Sequence, residues 1–305
     1  MAEVDNDNER ILELLLSISR EEGKKGDEKG KEEKEEKEEE NPEAICALWD
    51  IASTSPSGAY FMWQCKAAPL LMGAALNSAG YSREVCLGAV RAIISSLVSS
   101  GEEAQCKAGR DLCRTRELAE LCRLIALSDA DTPTLCEVCR IALHCLAAAE
   151  GSRSLWVDVF RGEKVLRKIV FWIQNTYDTQ LIVCASELAY ALSFYDSSED
   201  VEGEGSRKSA AKALYDAGLC GTAVGVLEEN LARLDPISKA VGPLLSFLLL
   251  IAESGLAECV SDKACDVLEK IRKIIHGDPE FEEDEKVLND LLAIVSEKGD
   301  EQKQK

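Results

Sequence analysis

The residues best suited to chemistry gather in TPTLCEVCRIALHCLAAAE, where Cys136-x2-Cys139 is followed by His144 and Cys145. Thiolates and an imidazole at that density belong to the chemistry of tetrahedral zinc. The surrounding pattern, however, reads as one continuous helix. Cys136 and Cys139 share a face there, whereas His144 lies five residues beyond Cys139 and points away. A structural zinc site needs four converging ligands, usually delivered by turns, and no second CxxC or HxxxH completes the set. Small thiols filling a helix interface are the expectation, with no metal and no cofactor.

The other reactive groups lead to the same place. The chain has two histidines, His144 and His276. His276 precedes Gly277-Asp278-Pro279 at a helix end, where a cation suits the dipole. His144 sits mid-helix as a packed or groove-facing residue. The sequence holds no GxSxG, P-loop, strand-borne GxGxxG or HExxH. Its carboxylates run in solvated charge blocks, not in an apolar cleft that would raise one pKa. No enzyme is expected. A second thiol pattern, Val85-Cys86, Val138-Cys139 and Val183-Cys184, recurs without a Lys, Arg or His cluster to activate it, so packing is the expected role.

The elements that carry these residues repeat. Between residues 43 and 297, helix-period segments alternate with short breaks, and no alternating strand pattern appears. A helix, a break and a longer helix occupy 68–94, then 117–147, then 163–196. A fourth unit ends at LLSFLLLIAE, and a fifth runs from Cys265 to Val295. Asp131, Asp178, Asp235 and Asp284 mark the breaks at intervals of 47, 57 and 49 residues. The lengthened interval carries the acidic insert SSEDVEGEGS, an expected loop. An Asp at the break is N-cap chemistry, and Pro133 and Pro236 fit a first helical turn. Units of 40–47 residues are the armadillo or HEAT signature: one unit cannot bury its apolar faces alone, and stacked neighbours share a core. The expected fold is all-α, an armadillo/HEAT-like right-handed α-solenoid of about five helical repeats. The four tryptophans, Trp49, Trp63, Trp156 and Trp172, read as core or end-capping residues, with interface anchoring as the alternative.

Outside the repeats, residues 1–20 form a short amphipathic helix with Ile11, Leu12, Leu14, Leu15, Leu16 and Ile18. It either docks on the body or serves as a tethered recognition segment. Residues 21–42 read as a charged, disordered or exposed linker, since 21–40 hold no apolar side chain, and 298–305 as a disordered tail. The acidic start MAEVDNDNER does not resemble a signal peptide, so an intracellular, reducing setting and unbridged thiols are expected. The longest apolar run, from Leu244 to Ala252, is too short to cross a membrane.

Charge narrows the partner. The chain has 56 acidic and 35 basic residues, net −21. Residues 1–40 contribute −8 and the body the remaining −13, so the acidity is not confined to a tail. Such a chain is ill-suited to gripping nucleic acid by counterion release. A protein partner with a basic segment is expected instead.

Three passages then match a family pattern: EAICALWD ending at Asp50, APLLMGAALNSAGYSREVCLGAV, and LSDADTPTLCEVCRIALHCLAAAEGSRSLWVDVF with its Trp156-Val157 pair. In that order and spacing, over residues 43–160, the chain resembles the SAAL family, the serum-amyloid-A-like proteins. The resemblance implies an armadillo-like scaffold without catalytic residues, a nuclear association and a link to cell proliferation, in a chain shorter than the longer members. A chaperone-like or assembly adaptor for a basic client is the alternative function. The armadillo importins read basic peptides with W-x-x-x-N pairs on successive helices. Here the Trp positions hold Arg91, His144 and Tyr190, and the Asn positions hold Ser95, Ala148 and Phe194, so that ladder is absent. Arg91, Arg140, His144 and Tyr190 are the candidate partner-binding groove residues.

Overall fold

The computed structural model describes residues 2–27, 42–197, 209–231, 238–256 and 262–303, and every regular element among them is helical. The chain divides into two compact units, Met1–Trp156 and Val157–Lys305.

The first unit begins with α1 (Ala2–Asp27), α2 (Pro42–Thr54) and α3 (Pro56–Gln64). It continues with α4 (Ala67–Asn77), α5 (Gly80–Val98), α6 (Glu103–Cys113), α7 (Arg116–Leu127) and α8 (Thr132–Ala148). Helix α9 (Glu150–Phe160) crosses the boundary between units. The second unit contains α10 (Glu163–Asn175), α11 (Thr179–Ser197), α12 (Ala210–Asp216) and α13 (Leu219–Glu229). It ends with α14 (Ser238–Ile251), α15 (Asp262–Ile275) and α16 (Glu282–Lys303).

Each helix pair read from the sequence is present: α4–α5, α7–α8, α10–α11, α13–α14 and α15–α16. What the sequence reading lacks is a short helix ahead of each of the first four pairs, namely α3, α6, α9 and α12. Helix α3 shows how such a piece forms. Ser55 caps it by accepting the Gly58 N–H at 3.0 Å, and Pro56 occupies the first turn.

Capping defines two of the expected breaks. Asp131 accepts the Thr134 N–H and Asp178 the Leu181 N–H, both at 3.0 Å, and Pro133 lies in the first turn of α8. Asp235 and Pro236 fall outside the described residues. Asp284 is not a cap. It lies inside the first turn of α16, and the preceding 3-10 turn (Pro279–Phe281) is capped by Asp278. Asp284 is instead half-buried against Gly242 of α14, where the carboxylate occupies the space a Cβ would need. Burial, then repulsion from Glu283, raises its pKa. Next to it, a hydrogen bond from the His276 ring at 2.6 Å, then the Gly277 N–H, hold the Glu285 carboxyl below its ordinary range. Gly277 has φ +75, a conformation that favours glycine beyond a helix end.

Helix α1 packs on the first unit. Ile11, Leu15 and Ile18 are buried, and the helix packs on α2, α3 and α4. It extends to Asp27, beyond residue 20, while 28–41 lie outside the described residues. At the other end α16 continues to Lys303, through most of the stretch expected as a tail.

Most of the described thiols are core residues, while Cys46, Cys65, Cys106 and Cys265 are half-buried. Cys86, Cys139 and Cys184 of the recurring column are buried, as are Cys136 and Cys145. No disulfide and no metal-ligating group of three or more side chains occurs among the described residues. Burial pushes the Cys122 thiol up, and burial followed by contact with Cys113 raises Cys145, which makes poor nucleophiles of both. Trp156 is fully buried and donates its Nε1–H to the Cys113 carbonyl at 2.8 Å. Trp172 is also buried, while Trp63 is half-buried and stacks on Tyr60 at 5.6 Å. No helix among the described residues is long and apolar enough to cross a membrane.

Candidate functional site: a polar face on α2, α5 and α8

Helix α5 packs against both α2 and α8. Most of its surface is apolar and buried, but Glu84, Gly88, Arg91 and Ser95 fall at i, i+4, i+7 and i+11, which is one face. Glu137, Arg140 and His144 form the matching face of α8 at i, i+3 and i+7, and α2 contributes Trp49.

Gly88 is what lets α2 deliver its tryptophan. A Cβ at position 88 would lie 2.6 Å from both Cζ3 and Cη2 of the Trp49 indole, so the ring rests directly on the α5 backbone. Gly88→Ala is therefore expected to displace the ring and cost about 1–3 kcal/mol of stability. Urea unfolding checks this, and a variant as stable as the parent would show that the indole is not seated there.

The polar centre is Glu137, whose side chain is 3% exposed. Its Oε2 accepts from Arg91 Nε at 2.6 Å, and its Oε1 accepts from Arg140 Nη1 at 2.7 Å. Both carboxylate oxygens are thus satisfied, as a buried charge requires. The guanidinium carbon of Arg91 also stands 5.8 Å from the Trp49 ring centroid, within cation–π range. Arg91 and Arg140 keep 22% and 35% of their side chains exposed, so the arginines face outward from an internal carboxylate. Glu84 is half-buried on the same face of α5. Burial, then repulsion from Asp131 and Glu137, raises its pKa, and Arg140 opposes the rise.

Three of the four residues expected from the sequence therefore gather on one face. Arg91 and Arg140 meet at Glu137, and His144 donates Nδ1–H to the Arg140 carbonyl at 2.8 Å. Tyr190 belongs to the second unit, on α11, with Phe194 at 5.9 Å and Phe194 in turn edge-on to Tyr195 at 5.4 Å. The sequence reading missed Glu84, Gly88 and Glu137 and gave Trp49 only a packing or anchoring role. One signal was available: Glu137 is a lone carboxylate within an otherwise apolar stretch of α8, three residues before Arg140.

Chemically, the arrangement presents fixed guanidinium donors and an aromatic wall. It does not pair a nucleophile with a base. Away from this face, a recess of about 610 Å³ lies between α1 and α2 and is lined by Asp7, Arg10, Glu43, Asp50 and the Cys46–Tyr81 pair. Cys46 Sγ is 3.5 Å from the Tyr81 hydroxyl, and that contact raises the Tyr81 pKa.

No protein-family model matches the chain. Among curated proteins it is similar to Protein saal1 of Xenopus tropicalis, 28% identical over 194 residues, covering 63% of this chain and 38% of that protein. Protein SAAL1 of Homo sapiens is 28% identical over 206 residues, 67% of this chain and 40% of that protein. Protein SAAL1 of Mus musculus is 28% identical over 170 residues, 55% and 33% of the two chains. The chain thus spans between a third and two-fifths of the length of these relatives. Among solved structures, a designed armadillo repeat protein matches with TM-score 0.57 at 14% identity, over 92% of this chain and 99% of that one. Another, in complex with the peptide (KR)4, matches with TM-score 0.57 at 15% identity, over 93% and 99% of the two chains. At such identities the likeness is one of fold, an all-α armadillo-like solenoid.

Proposed function

Since this chain is a relative of the SAAL proteins built on an armadillo-like fold, we propose that it is a non-catalytic scaffold that binds a basic protein segment on the α2–α5–α8 face. The observation that carries this reading is the Trp49–Arg91–Glu137–Arg140 chain of contacts, which links three helices of the first unit at a partly exposed face. Its donors are oriented before any partner arrives, which lowers the cost of binding. The net charge of −21 favours a cationic partner and faster encounter with it. Both histidines are engaged structurally, His144 with the Arg140 carbonyl and His276 with Glu285, which supports a scaffold over an acid–base catalyst.

Kinship with the SAAL proteins extends the proposal to an intracellular, nucleus-associated role in cell proliferation. The alternative, an adaptor that keeps a basic client soluble through its acidic N-terminal segment, places affinity in residues 1–40, not on the face. Labelled (KR)4, titrated into the full chain and read by fluorescence anisotropy, tests the choice of partner. Binding is expected at 50 mM salt and weakens about tenfold or more by 300 mM, with an acidic (ED)4 control failing to bind. Absent (KR)4 binding at low salt, or equal binding of the acidic control, would overturn the proposal.

A further inference from the structure

The Arg91 guanidinium is held by a single nitrogen. Nε is committed to Glu137, the planar group lies near the Trp49 ring, and no hydrogen bond among the described residues engages Nη1 or Nη2. The Arg91 side chain keeps 22% of its surface exposed, and the Nε bond to Glu137 fixes the plane of the guanidinium. Nη1 and Nη2 call for an acceptor on the ligand, either a carboxylate or a carbonyl.

The surroundings decide between the two. Glu137 already takes one bond from each arginine, and Glu84 and Asp131 add carboxylates close enough to act on one another. An incoming carboxylate would meet more negative than positive charge. A neutral carbonyl would not, and a cation beside it would relieve Glu84, whose raised pKa reflects burial and carboxylate repulsion. Glu84 and Arg91 are seven residues apart on one face of α5, about 10 Å along the axis. Trp49 lies across Gly88, between them. That separation is comparable to the reach of a long side chain together with its own main-chain carbonyl.

We infer that this face divides the reading of a peptide between two residues. Arg91 takes a main-chain carbonyl, and Glu84 takes the cationic head of a Lys or Arg whose stem lies along Trp49. The assignment rests on the basic-segment reading above and deepens it. It gives Arg91 a role blind to the ligand's side chains and Glu84 the role that selects for charge. The work that Trp and Asn share in an importin ladder is distributed differently here, with the indole supplied by the neighbouring helix α2.

The test uses labelled (KR)4 and the full chain with two substitutions, each verified by a thermal melt matching the parent. Glu84→Gln should weaken binding about fivefold and flatten its salt dependence, as loss of a partly exposed ion pair does. Arg91→Lys keeps the charge beside Glu137 and loses the fork. It should weaken binding by a similar factor with the salt dependence unchanged. If (KR)4 binds the parent and Glu84→Gln is without effect, the inference is overturned while the basic-segment reading stands. An Arg91→Lys variant that loses salt dependence would likewise overturn the division of roles. If (KR)4 does not bind the parent, both fall together.

Discussion

Arg91→Ala is expected to destabilise the first unit by about 3 kcal/mol, although the substituted residue is itself partly exposed. The cost arises at its partner. Glu137 is 3% exposed and has two bonding partners, so removing Arg91 leaves Oε2 without a donor where water has little access. Breaking a buried pair from one side typically costs about 3–5 kcal/mol, and the retained Arg140 places this case at the lower end. The reciprocal experiment identifies the cause. Adding Glu137→Gln to the Arg91→Ala background removes the stranded charge and should restore part of the loss, so the two changes are non-additive. Urea unfolding of the two single variants and the double variant reads this coupling. A cost below about 1 kcal/mol for Arg91→Ala would show that Glu137 is hydrated and that no buried charge is being held.

A loss of about 3–5 kcal/mol is expected for Trp156→Ala. The residue is fully buried, and its indole N–H is bonded to the Cys113 carbonyl, so the substitution removes a large ring and leaves that acceptor without this donor. Trp156→Phe separates the two effects: most of the ring volume remains, and the loss should fall nearer 1 kcal/mol plus the unfilled space. Thermal and urea unfolding of both variants measure the difference. Equal losses for Ala and Phe would mean that the hydrogen bond, and not the ring, dominates at this position.

The parts of this fold legible in the sequence are those with a local cause. The long helices announce themselves through apolar spacing, and Asp131 and Asp178 cap the helices they precede because capping is decided within three residues. The short helices α3, α6, α9 and α12 offer 7–11 residues each, too few for a periodic stripe to stand out. In α6, EAQCKAGRDLC buries only Ala108, Gly109, Leu112 and Cys113. Asp284 misled for the opposite reason. It follows a break at the right interval, but Asp278 caps the intervening turn, and Asp284 is drawn against Gly242 by tertiary packing.

The candidate site divides along the same line. Arg91 and His144 followed from aligning one helix with the next, an operation the repeats make possible, and Arg140 from its place on the second helix of its unit. The contacts that give them meaning are long-range. Arg91 and Glu137 are 46 residues apart, and the Trp49–Gly88 contact depends on a missing side chain. Nothing in the local pattern of α5 distinguishes a glycine that seats an indole from one that merely loosens a helix.

Central to this account is that the α2–α5–α8 face of the first unit, and not the acidic N-terminal segment, receives a basic peptide. A (KR)4 peptide carrying a benzophenone at its centre, photolysed with the full chain and mapped by mass spectrometry, tests this most directly. The account predicts adducts on α2, α5 and α8 around Trp49, Glu84, Arg91 and Arg140, lost on competition with unlabelled (KR)4. Adducts confined to residues 1–40, or to the exposed side chains Leu76 of α4 and Leu124 of α7, would contradict it.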